Sequence, residues 1–392
     1  MMKKHWYDYM WILSLTYLIL GFFKYWGFFL DTISGITGLK LTYPQLALPI
    51  GLSFYTFKNL SYILDIYMGK TEPCKGFFPY AVYSTMFPHM TAGPIVRYTD
   101  ISESISRRSI NTTRLGAGAE LFIKGLSKKV LLADNLSALY TTLQASGTTS
   151  FVGTWLAIGA YTLELYFDFS GYSDMAIGLG QMLGFNFNKN FDYPYISTSV
   201  SEFWRRWHIS LGSWFRDYIY IPLGGNRVST GRHIRNILVV WALTGLWHGA
   251  SWNFVFWGVY YGLLLLAEKF LLGRFLEKAP VWLRNLYTMF AVIIGWVFFS
   301  QTTPAAIGKM LGAMFGLGAS CFADRASLYA LKSGLILMII SVISCRPGLY
   351  QYFKRLARRN TYLAAVINAI LFFLCIAYMI YSSYTPFMYQ QF

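Results

Sequence analysis

The residues of this 392-residue chain best suited to chemistry are histidines in segments that carry little charge, and there are only five of them: His5, His89, His208, His233 and His248. His248 lies in Thr244-Gly245-Leu246-Trp247-His248-Gly249-Ala250-Ser251-Trp252, inside a stretch, 237–267, with no charged residue. An ionisable group in such a setting reads as functional by default. An imidazole can take a proton from a hydroxyl near neutral pH, which is what acyl transfer to an alcohol requires. The competing reading is a buried imidazole that bridges two helices. Gly245 and Gly249 would let a thioester approach the backbone closely. His208, in Trp207-His208-Ile209-Ser210, lies in an aromatic and basic segment. It could bind a donor, orient its acyl group, or simply pack. Arg205, Arg206 and Arg216 would steer a phosphate-bearing donor towards it, and Asp217, Trp247 and Asn253 complete the expected substrate-binding set. His5 and His233 read as solvated side chains. His89, at a broken helix end in Phe87-Pro88-His89-Met90, reads as a structural hydrogen-bonding residue.

The acids point to support. Glu164 and Asp168 are four apart and share a helix face, with Asp174 further along the same segment. Paired acids in an apolar run suggest ion coupling, a metal site or a hydrogen-bonded brace. No histidine lies nearby at metal-ligand spacing, so the brace is preferred, with Asp168 or Asp174 paired to a basic residue, and no metal is expected. Phosphate-cradling loops, nucleophile elbows and zinc-protease motifs have no counterpart here. Gly178, Gly180 and Gly184 miss the dinucleotide spacing and read as close helix contacts. Cys74, Cys321, Cys345 and Cys375 form neither a disulfide framework nor a zinc pattern.

These residues must be positioned by membrane helices. The chain is 55% hydrophobic and only 13% charged, against roughly 25% charged in soluble domains. Its apolar runs approach the roughly 20 residues of a bilayer-crossing helix and are too long for barrel strands. The expected architecture is all-α and polytopic, with about 9–11 spans and some re-entrant or interfacial helices. Spans fall at 9–30, 46–68, 76–93, 116–142, 151–168, 171–187, 237–252, 254–272, 283–300, 328–345 and 361–381. Residues 10–30 read as a retained span because no small-residue cleavage site follows. The uncharged 237–267 stretch should break near 249–253 into two helices, and 202–220 should form an amphipathic helix in the headgroup layer. The net charge of +16 is not a nucleic-acid signature, because the cations gather in connections at 97–129, 205–235 and 346–359. By the positive-inside rule these loops face the cytoplasm and anionic lipid headgroups.

Several of these stretches together carry a resemblance. Leu48-Pro49-Ile50-Gly51-Leu52-Ser53-Phe54-Tyr55-Thr56-Phe57, Ala92-Gly93-Pro94-Ile95-Val96-Arg97, residues 166–180, 202–227 and 245–252, and Ser383-Tyr384-Thr385-Pro386-Phe387 resemble the membrane-bound O-acyltransferases. The similar branch is the bacterial one that O-acetylates exported polysaccharides such as alginate and peptidoglycan. The resemblance implies a single membrane-embedded domain over 1–392 in the bacterial cytoplasmic (inner) membrane. It would pass an acyl group, typically acetyl, from a cytoplasmic thioester (acetyl-CoA or an acyl carrier) to an acceptor outside, with no bound cofactor. It makes the residue matching His248 the essential histidine and the one matching His208 a second important position. It further implies an extracytoplasmic serine-hydrolase-like acetyltransferase, or another acceptor protein, as partner. It also implies two or three hydrophobic helices ahead of 10–30, which this sequence lacks. A transporter or an export scaffold subunit is the alternative, but the repeat symmetry of a transporter is absent.

Overall fold

The computed structural model describes residues 14–44, 46–147, 149–381 and Phe387. His5, the start of the 9–30 span and most of the Ser383–Phe387 stretch lie outside them. Every regular element among the described residues is helical. Among the described residues, four helices are long and apolar enough to cross a bilayer: Trp252–Lys278, Val281–Ser300, Arg325–Ser344 and Thr361–Tyr381. The protein is an all-α membrane protein.

The centre of the molecule is the 32-residue helix Phe151–Met182, buried along most of its length. At 1.5 Å per residue it runs for about 48 Å. The two spans expected at 151–168 and 171–187 are thus one helix. Gly171 does not break it because the glycine is used for packing. A Cβ there would stand 2.8 Å from the carbonyl oxygen of Gly125, and one on Gly178 would stand 2.5 Å from that of Gly118. These pairings run in opposite order along the two chains, so the helix Thr112–Ser127 lies antiparallel to Phe151–Met182 with the backbones in contact. Small residues allow such close approach within a membrane. Ion pairs then lock the hairpin. Asp174 binds Lys128 at 2.8 Å and Lys124 at 3.2 Å, and Lys129 binds Asp168 at 2.8 Å and Asp134 at 2.7 Å.

Two further expectations change. Residues 76–93 form a short helix, Phe77–Thr85, and a single turn, Phe87–His89. Pro88, Gly93 and Pro94 prevent a continuous span there. The expected amphipathic helix at 202–220 is three pieces, Val200–Arg206, Ile209–Phe215 and the wider turn Arg216–Tyr220. Phe203, Trp207, Leu211, Trp214 and Phe215 of this segment are buried in the main core and not laid in a headgroup layer. Glu268 holds the first piece in place: its carboxylate accepts from the Val200 and Ser201 amides and the Ser201 hydroxyl at 2.5–2.9 Å. A helix N-terminus offers orphan N–H donors and partial positive charge, and a carboxylate satisfies both.

Candidate active site

The 237–267 stretch breaks where glycine was expected to break it. Thr230–His248 ends at Gly249, which adopts an extended conformation, and Trp252–Ala267 starts after Ser251. His248 is the last residue of its helix and is buried. Its ring stands edge-on to Trp257 at 4.9 Å, to Trp247 at 5.1 Å and to Phe299 at 5.3 Å. The glycines around it serve the fold and do not leave room for substrate. A Cβ on Gly245 would meet the Phe254 carbonyl oxygen at 2.3 Å, and one on Gly249 would meet the Phe254 ring at 2.2 Å. The space expected for a thioester beside them is filled by this chain's own Phe254.

His208 is brought to the same region by an unusual backbone. It links Val200–Arg206 and Ile209–Phe215 with φ 45° and ψ 53°, in the left-handed region. For a residue other than glycine this costs on the order of 1–3 kcal/mol and persists only where neighbours over-determine it. Here the Ile209 amide donates to the Asn190 carbonyl at 2.9 Å, and the Gly212 amide donates to the His208 carbonyl at 3.1 Å. The turn sends the imidazole into the core, 4.7 Å from the Phe169 ring and 6.0 Å from the Trp247 ring. Trp247 therefore touches both histidines.

A third element closes the site. Lys24, in the turn Gly21–Tyr25, donates to the Trp247 carbonyl at 2.5 Å and to the Ser53 hydroxyl at 3.0 Å. The neighbouring Tyr25 hydroxyl donates to the Leu246 carbonyl at 2.7 Å. The last carbonyls of a helix lack internal partners and favour a cation. Lys24 and Tyr25 satisfy two of them one and two residues before His248. Asn253 contacts the Ser251 hydroxyl and donates to the Phe298 carbonyl at 3.2 Å, tying the start of Trp252–Ala267 to Val281–Ser300.

The expected cationic set divides. Arg206 is engaged internally: it binds Glu202 at 2.8 Å and the Asp192 carbonyl at 3.1 Å. Asp217 bridges Arg97 at 2.8 Å and Arg216 at 2.7 Å. Burial pushes the Asp217 carboxyl up, but the two arginines outweigh it and hold it below the ordinary carboxylate value. Arg205 and Arg216 face outward. Glu164 is buried one turn from Asp168 on the long helix. His89 is buried edge-on against Phe187 at 4.8 Å, but neither of its ring nitrogens has a hydrogen-bond partner among the described residues, so its expected hydrogen bond is not present. His233 is buried, not solvated: Tyr220 meets its Nε2 at 3.0 Å and Lys269 meets it at 3.4 Å.

Sequence reasoning passed over Lys24, Lys129, Asn190 and Glu268. Lone charges at the borders of apolar runs were the available signal for Lys24 and Glu268. Nothing in local spacing marks Asn190, because its partners are His208 and Ser210, 18 and 20 residues away.

Residues 74–308 match the membrane-bound O-acyltransferase family. The chain is 41% identical to a probable alginate O-acetylase of Azotobacter vinelandii, over 86% of this chain and 68% of that protein. It is 37% identical to a probable alginate O-acetylase of Pseudomonas putida, over 95% of this chain and 82% of that protein. It is 33% identical to the peptidoglycan O-acetyltransferase of Helicobacter pylori, over 76% of this chain and 63% of that protein. The match takes in His208, His248 and the helices that carry them. The chain belongs to the membrane-bound O-acyltransferase family and is an O-acyltransferase.

Proposed function

We propose that this protein O-acetylates a cell-envelope or extracellular polysaccharide, with a thioester, acetyl-CoA or an acyl carrier, as donor. The observation that carries the reading is the pairing of His248 and His208 across Trp247, deep in the aromatic core, in a chain similar to an alginate O-acetylase and a peptidoglycan O-acetyltransferase. His248 acts as general base. As the acceptor hydroxyl oxygen bonds to the acyl carbon, its proton moves to the imidazole. The carbon–sulfur bond breaks, and the proton passes on to the departing thiolate, giving an ester and a free thiol. His208 assists at the same centre, with Trp247 and Asn253 lining it. The outward-facing Arg205 and Arg216, with Asp217 ordering the Arg97–Arg216 cluster, attract the donor's phosphates, while Arg206 orders the segment that carries them. Glu164, Asp168, Asp174 and His89 support the scaffold. The protein works as a multi-pass component of the bacterial cytoplasmic membrane and hands the acetyl group to an extracytoplasmic serine-hydrolase-like acetyltransferase or another acceptor protein. A buried, water-poor site suits this chemistry because it limits hydrolysis of the thioester.

A positioned base contributes typically 10²–10⁴-fold in rate. His248→Ala and His248→Gln are therefore expected to reduce polysaccharide O-acetylation to near background at equal membrane abundance, read as ester-linked acetate released by mild base. Wild-type acetate from an equally abundant His248→Ala protein would reduce His248 to a packing residue.

A further inference from the structure

His208 has a partner that determines which of its nitrogens can work. Asn190 is fully buried, and its side-chain oxygen accepts from the Ser210 backbone amide at 3.2 Å and from the Ser210 hydroxyl at 2.9 Å. The His208 Nδ1 lies 3.2 Å from the same oxygen. A backbone amide only donates, so the atom facing it must be the amide oxygen, and the orientation of the Asn190 side chain is settled. On the other side, the Asn190 nitrogen donates to the Ser173 hydroxyl on the long helix at 3.0 Å. The Ser210 hydroxyl is occupied too: it accepts from the Ile95 amide at 2.9 Å and stands closer to Asn190 than to His208, 2.9 Å against 3.4 Å. Nδ1 thus faces oxygen lone pairs. A bare nitrogen lone pair there would be repelled, whereas an N–H is attracted to the Asn190 oxygen as a third donor beside the two from Ser210.

We propose that Asn190 is a positioning residue that locks neutral His208 in its Nδ1–H tautomer, so that Nε2 is the nitrogen that accepts a proton or a hydrogen bond in the active site. Which ring nitrogen is basic is set by the hydrogen bond the other makes. Neutral His208 is then an acceptor towards the reacting groups, and it does not donate to the acyl carbonyl. The left-handed backbone at His208 has a purpose in the same terms: the Asn190 main-chain carbonyl holds the next amide while its side chain holds the ring. The inference rests on the reading of His208 as part of the acyltransferase site.

The test is nitrogen-15 NMR of the full chain in lipid bilayers, labelled at histidine, with the His208 signals assigned by their loss in His208→Gln. The wild type is expected to show a protonated Nδ1 and a lone-pair Nε2. Asn190→Ala should give mixed or reversed tautomers, with kcat falling on the order of 10²-fold and the donor KM moving less than about threefold. Asn190→Asp, which retains the acceptor oxygen, should retain the tautomer, and together with the wild-type spectrum it decides the matter should Asn190→Ala not insert. A wild-type His208 protonated on Nε2 overturns the proposal, as does an Asn190→Ala protein with unchanged tautomer and kcat. The spectrum does not depend on turnover. Loss of the His248 reading through an active His248→Ala protein would therefore leave the tautomer result standing, and the reverse also holds.

Discussion

The helices Phe151–Met182 and Thr361–Tyr381 solve the same problem in opposite ways. The first carries Glu164, Asp168 and Asp174 and is buried along most of its length, with Asp168 and Asp174 paired to lysines and its glycines against a neighbouring backbone. The second carries no charge and is almost wholly exposed on the surface of the protein. Its one buried residue, Cys375, touches Ser127 at 3.7 Å, while Ile370, Phe373 and Tyr378 face outward. By length and apolarity the exposed helix qualifies as a membrane span, whereas the central one does not. The difference teaches that apolarity measures contact with lipid and not importance to the fold. A helix surrounded by protein can hold polar groups, because partners replace water; a helix surrounded by lipid cannot.

That contrast can be broken by substitution, and the largest effect belongs to the centre. Lys129→Met leaves the buried Asp168 and the partly buried Asp134 without their shared cation. Breaking a buried pair from one side costs about 3–5 kcal/mol, so the melting temperature in detergent should fall steeply. A loss under about 1 kcal/mol would place the hairpin's stability in its glycine contacts instead. Those contacts come next. Gly171→Leu drives a side chain into the Gly125 carbonyl, where even a Cβ has only 2.8 Å. Overpacking of this kind costs typically about 1–3 kcal/mol, read as a smaller fall in the same detergent melting temperature. The smallest effect is expected on the outer helix. Phe373→Leu should change stability by no more than about 0.5 kcal/mol, measured in the same melt. A loss above about 1 kcal/mol there would mean that the face is covered by another protein and not by lipid.

Much of the candidate site is legible in the sequence, and the reason is specific. His248 stood out because a lone imidazole in an uncharged run has no cheap explanation, and the helix break beside it followed from Gly249 and the residues after it. The pairing of His248 with His208 was not legible. It depends on a left-handed turn at His208 and on Trp247 lying between two helices far apart in the chain. The segment 202–220 was misplaced for a related reason: tryptophan and arginine suit a headgroup layer, but the same composition fills an aromatic core once Glu268 caps the first turn and Glu202 neutralises Arg206.

By itself the sequence determined that the chain is helical and membrane-embedded, since only helices can satisfy the backbone over apolar runs of that length. It also singled out the candidate base, because an isolated ionisable group in such a run is costly. Only the tertiary structure decided which acids meet which lysines, that two expected spans are one helix, and that Asn190 meets His208. Those outcomes depend on hydrogen bonds and close backbone contacts between residues distant in sequence, such as Gly125 with Gly171 and Lys24 with Trp247. Local composition carries no record of such pairings, which are selected only when the helices pack.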